Sequence, residues 1–198
     1  MTGADARLDP VTLQVLVGAL RAACEEMGAV LVRSAHSANI KERRDCSTAL
    51  FDAAGELVMQ AEHIPVHLGS MPEAVRAVLG ERQREGDLWV LNDPFRGGTH
   101  LPDITVVTPV FVDHELAGFA ASRAHHADVG ATEPGSMPSD SRTLADEGVV
   151  IEPARLTDEL LNDLSGRMRN PRQREADLRA QLAANRTGGE RLAALIER

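Results

Sequence analysis

Tyrosine is missing from this chain, and one Trp and four Phe leave aromatics at 3% of its 198 residues, so aliphatic side chains must build the core. Cysteine is nearly as scarce. Cys24 and Cys46 form neither a CxxC pair nor a disulfide framework. Basic charge is in deficit, with 21 Lys and Arg against 30 Asp and Glu and a formal charge of −9. That balance disfavours nucleic acid or an anionic membrane as a partner. No apolar run approaches the length of a membrane span, and the opening "MTGADARLDP" lacks the basic-then-apolar shape of a signal peptide. A cytoplasmic location is therefore expected. Neither GxxxxGK[ST] nor GxGxxG occurs, so the chain carries no recognisable nucleotide-binding loop of its own.

What is present is ordinary for a folded protein: 43% hydrophobic and 26% charged residues, in a length suited to one domain with a real core. Residues 11–35 repeat apolar side chains at spacings of three and four (Leu13, Val17, Leu20, Ala23, Met27, Val30), which predicts a long amphipathic helix capped by Asp9 and Pro10. "STALFD-AAG-ELVMQA" reads as a hairpin, "MPEAVRAVLGER" as a shorter helix, and "LWVLND" as a strand. "DITVVTPVFV", a "DHE" turn and "LAGFAASRAHH" read as a second hairpin, followed by a Gly-, Pro- and Ser-rich loop, "GATEPGSMPSDS". The tail is helical, with breaks at "NPR" and "TGG". The fold class is α+β: a long N-terminal helix, antiparallel β-hairpins forming a sheet, and a helical C-terminal tail. Residues 1–160 make the α+β domain, and 161–198 the tail, which can pack on the same domain.

Two polar clusters, "GGTHLPD" (97–103) and "RAHHAD" (123–128), stand out. With a three-residue turn at 113–115, facing positions in the second hairpin sum to about 228. Asp103 then lies opposite His125, and His100 lies near Asp128, within roughly 5–8 Å of one another. His125 and His126 point to opposite faces while they remain in a strand. In the first hairpin a turn at 53–55 sets the sum at 108 and puts Asp45 opposite His63. Both hairpins thus gather acids and histidines at their open ends. Two imidazoles and a carboxylate suit a divalent Zn, Mn or Fe ion with open positions. His100, Asp103 and His125 are the preferred metal ligands. His126 and Asp128, with Asp45 and His63, are candidates for touching those ligands or moving protons.

The blander alternative is that these histidines cap strand ends. Arg96, Gly97 and Gly98 in "PFRGGTH" are candidate substrate-binding residues, because glycine backbone approaches an anion closely; a plain turn is the competing reading. Ser136 reads as part of a surface loop. Cys46 reads as a buried strand residue, with an activated thiolate as the alternative. Met59, Met71 and Met137 read as packing residues, and the acid-rich helices as solvated faces.

"NIKERRDCSTALFD", "QAEHIPVHLGSMPEAVRAVL", "LNDPFRGGTHLPDITVVTPVF", "SRAHHADVG", "PGSMP", "EGVVI" and "DLRAQLAANRTGGERL" occur in an order that resembles the N-terminal part of the hydantoinase B family. That family includes the B subunit of N-methylhydantoinase, the matching half of 5-oxoprolinase, and the alpha subunits of acetone and acetophenone carboxylases. The resemblance implies ATP-dependent opening of a cyclic amide, hydantoin-like or oxoproline-like. An A-type partner would use the ATP, and the B part would carry a divalent metal on His100, Asp103 and His125. It leaves open the alpha-type subunit of an ATP-dependent ketone carboxylase and a shortened, non-catalytic assembly module. An oligomer is expected. One departure stands out: Ala131 occupies the place of the second glycine in the family's "HHADVGG", where a methyl group restricts the backbone if a positive φ is needed.

Overall fold

The computed structural model describes residues 9–62, 67 and 69–197. It opens with α1 (Pro10–Ser34), α2 (Ala38–Lys41), β1 (Cys46–Asp52), β2 (Leu57–Glu62) and α3 (Met71–Leu79). Then come β3 (Trp89–Leu91), β4 (Asp103–Val112), β5 (Glu115–His125), α4 (Leu144–Glu147) and β6 (Ala154–Arg155), and finally α5 (Asp158–Arg167) and α6 (Pro171–Ile196). The six strands form one antiparallel sheet in the order β2-β1-β5-β4-β3-β6. The α+β architecture and its long first helix are as expected. Asp9 caps α1, its side chain accepting the backbone N–H groups of Val11 and Thr12, with Pro10 in the first turn. No helix among the described residues is long and apolar enough to cross a membrane.

Period-2 alternation divides the strand residues between two faces. On one face Cys46, Leu50, Val110, Ala120 and Ala124 pack under α1 and α6, while Val90, Ile104 and Val106 join an apolar cluster that includes α5. On the other, Ala49, Phe51, Trp89, Leu91, Val107, Phe119 and Ala121 pack against α3. Beyond the end of α3 the same face carries Ser47, Asp103, Thr105, Arg123 and His125.

The register depends on two bulges. In the second hairpin the turn is two residues, Asp113 and His114, both at positive φ, as the right-handed twist of a tight hairpin favours. A bulge between Val110 and Phe111 then restores the expected pairing, and Asp103 faces His125. In the first hairpin a bulge between Leu50 and Phe51 shifts the outer register by one, so Ser47 pairs with Glu62. Asp45 lies immediately before β1, and His63, the residue expected opposite it, lies outside the described residues.

Several other expectations change. The "TGG" stretch does not break the tail: α6 runs through it, and a Cβ on Gly188 would sit 2.3 Å from the Met27 sulfur. Glycine there lets α1 and α6 close on each other, and that packing outweighs its poor helix propensity. Nor is α6 simply a solvated acidic face, because Arg174, Asp177, Gln181 and Asn185 are buried. Met71 is buried as expected, but Met137 is 69% exposed. Ala131 is not at positive φ, so its methyl group fits without strain, while Gly130 supplies the φ of +88°.

Candidate metal centre

Asp103 begins β4 and His125 ends β5, and their pairing places both side chains at the open end of the hairpin. His100 reaches the same point from the turn before β4. Its Nε2 lies 3.0 Å from Asp103 Oδ1 and 3.2 Å from His125 Nδ1, and His125 Nδ1 lies 3.1 Å from the same carboxylate oxygen. Donor atoms bonded at ~2.0–2.2 Å to one tetrahedral or octahedral ion are spaced ~3.0–3.5 Å apart. Three donor atoms at 3.0–3.2 Å therefore fit a single divalent ion, and two imidazoles with one carboxylate are a suitable set for Zn, Mn or Fe.

Burial pushes the Asp103 carboxyl up, yet the rings of His100, His125 and His67 outweigh it and hold the group well below the usual carboxylate range. The bond to Asp103 in turn raises His100, against the opposing effect of its partial burial. Asp103 is nearly inaccessible while the His100 side chain is 40% exposed, so the cluster opens to solvent on the His100 side.

Four residues that the sequence did not single out complete the surroundings. Thr99 Oγ1 donates to Asp103 Oδ2 at 2.8 Å. His67, fully buried, holds Ser47 Oγ at 3.0 Å through Nδ1, and its Nε2 lies 3.5 Å from Asp103 Oδ2. Arg123 is buried behind them, donating to Thr105 Oγ1, Ser70 Oγ and the Gly97 carbonyl, and burial pushes its guanidinium down to about 10. It ties the glycine loop and the segment around Ser70 to the sheet. The spacing of Thr99 beside "HLPD", and of Ser47 and Arg123 on the face of Asp103, were the available signals; His67 gave none beyond being a second histidine in "HIPVH".

The other candidates fall in different places. Asp45 belongs to the cluster, with its carboxylate 4.0 Å from His125 Nδ1 and 3.9 Å from His67 Nε2. His126 does not. It lies on the opposite face, wholly buried, with Nε2 on Gln181 Oε1 at 2.9 Å, and burial pushes it down to about 4. Asp128 is also held elsewhere: it accepts the N–H groups of Gly130 and Gly135, the Ser136 hydroxyl and Arg169 Nε. Ser136 is thus a buried loop brace at φ 55°, not a surface residue.

The two loop glycines fit tight backbone packing. A Cβ on Gly97 would meet Glu73 O at 2.6 Å, one on Gly98 would meet Asn92 O at 2.3 Å, and the Gly98 N–H already donates to Asp93 O. Arg96 is 57% exposed and pairs with Glu152. Cys46 is buried, and burial pushes its thiol up to about 12, which removes the activated-thiolate alternative.

Residues 9–198 match the Hydantoinase B/oxoprolinase family. The chain belongs to that family. It is 40% identical over 198 residues to a 5-oxoprolinase of Dictyostelium discoideum, covering 96% of this chain and 16% of that protein. An ATP-dependent caprolactamase from Pseudomonas jessenii is 34% identical and superposes with a TM-score of 0.90, over 96% of this chain and 34% of that one. Acetone carboxylase, at 22% identity and a TM-score of 0.89 over 96% of this chain and 26% of that one, shares the fold. The chain spans between 16% and 36% of the length of the first curated relatives it matches.

Proposed function

We propose that this chain is the metal-holding part of an ATP-dependent cyclic-amide hydrolase, opening hydantoin- or 5-oxoproline-type rings together with an ATP-using, A-type partner. The observation that carries the reading is the convergence of His100, Asp103 and His125 at one open sheet end. Family membership and the 34% identity to an ATP-dependent caprolactamase support it. His100, Asp103 and His125 would hold the ion, whose chemistry is Lewis acidity toward a carbonyl or a water molecule.

The chain's own groups set the rest. Asp103 is an anion throughout the physiological range, so it is ready to bind without first losing a proton. Asp45, its side chain 22% exposed, is the second carboxylate at the cluster and the group placed to accept a proton there. Arg96, at the rim of the glycine loop, is the cation offered to an anionic substrate group. The ketone-carboxylase reading rests on shared fold alone, so it ranks second. An assembly module without turnover would not need this donor set.

The test is ring opening of 5-oxoproline, hydantoin and caprolactam by this chain with an A-type partner, ATP and Zn²⁺ or Mn²⁺. Turnover that needs ATP and disappears in Asp103→Ala is expected. No ring opening of any of the three, with metal bound, would favour the assembly module.

A further inference from the structure

His67 is fully buried with its ring aimed into the cluster. Nδ1 meets Ser47 Oγ at 3.0 Å. Nε2 lies 3.5 Å from Asp103 Oδ2 and 3.9 Å from Asp45 Oδ1, and has no closer hydrogen-bond partner among the described residues. A buried ring nitrogen without a close partner is uncommon, and here it points at two carboxylates.

The two oxygens of Asp103 have different neighbours. Oδ1 faces His100 Nε2 and His125 Nδ1. Oδ2 is turned away from them, toward the Thr99 hydroxyl and His67. Carboxylate oxygens only accept, so the hydrogen between His67 and these groups belongs on Nε2, and Ser47 Oγ donates to Nδ1.

We infer that His67 is a positioning residue that, with Thr99, occupies Asp103 Oδ2 and so leaves Oδ1 alone to face the ion held with His100 and His125. This rests on the reading of that cluster as a metal centre. If His67 were itself a ligand through Nε2, that nitrogen would have to be bare and Ser47 would have to accept from Nδ1–H. The two arrangements use the same residues and differ in the place of one hydrogen. A partner that fixes a ligating carboxylate typically changes metal affinity by ~10–100-fold when removed.

Two measurements on the full chain decide it. In metal-free wild-type protein labelled with ¹⁵N-histidine, long-range ¹H–¹⁵N spectra should show His67 Nε2 protonated; a bare Nε2 overturns the positioning role. In Co²⁺ titrations followed by visible absorption, His67→Phe should bind ~10–100-fold more weakly. Its bands should also be weaker, because a released Asp103 adds its second oxygen and raises the coordination number. His67→Gln, which keeps an N–H donor near the same place, should recover most of the affinity and the spectrum. Affinity and bands in His67→Phe equal to wild type would overturn the inference. Should the variants fail to fold, the wild-type spectrum still decides. Wild-type protein that takes up no Co²⁺ overturns the metal centre and this role together, whereas Co²⁺ uptake with a bare Nε2 overturns this role alone.

Discussion

His125 and His126 are neighbours in sequence with contrasting surroundings. His125 shares Asp103 with His100 at an end of the sheet that opens to solvent. His126, on the other face, is enclosed beneath α6, where Asp177, Gln181 and Asn185 recur every four residues as a buried polar stripe. Gln181 donates to the carbonyls of Ile104 and Ser122, Asn185 donates to that of Val106, and Asp177 accepts the N–H groups of His36 and Ser37. The residue types on the two faces are similar. The difference is in partners and access: on the α6 face the polar groups tie a helix to fixed backbone groups, whereas on the other face side chains converge on one another and leave a route in.

Substitutions on either face should therefore separate. The largest effect is expected from His125→Ala, which should lower Zn²⁺ affinity by at least ~1,000-fold, about 4 kcal/mol, while changing Tm little. Gln181→Leu should behave in reverse. It strands two backbone carbonyls and the His126 ring, for a loss of ~2–4 kcal/mol in urea unfolding, with Zn²⁺ affinity kept in the folded fraction.

The pH dependence tests the covered face without mutating it. Unfolded His126 takes up its proton near pH 6.5, and the folded ring resists until about 4. Between those values this group binds its proton in the unfolded state and not in the folded one, so its contribution to stability falls as pH drops through the window, by on the order of 3 kcal/mol. Urea midpoints measured from pH 7 to 4 should show the decline. The raised His100 acts in the opposite sense, so the comparison is made in His100→Ala, where a flat profile would mean that His126 is not enclosed as described. The smallest effect concerns Cys46: Ellman's reagent at pH 8 should leave it unlabelled in the folded chain and label it on unfolding.

Much of the open face was legible because strand alternation and hairpin pairing are local rules. They placed Asp103 against His125 and set His126 on the other side. They failed where one inserted residue mattered. The bulge at Leu50/Phe51 moved the first hairpin's register by one, so that Ser47 pairs with Glu62, and His67, from the segment beyond β2, meets the cluster. The covered face was largely illegible. Asp177, Gln181 and Asn185 read as solvent-facing by residue type, and only the sheet beneath them supplies the carbonyls and N–H groups that make their burial tolerable. Gly188 likewise reads as a helix breaker until Met27 is seen against it.

The most direct test of the central claim is calorimetric titration of Zn²⁺ into the metal-stripped chain. The geometry predicts one ion per chain, with binding lost in Asp103→Ala and kept in Gln181→Leu. No saturable uptake by wild type, or uptake that Asp103→Ala leaves unchanged, would contradict it.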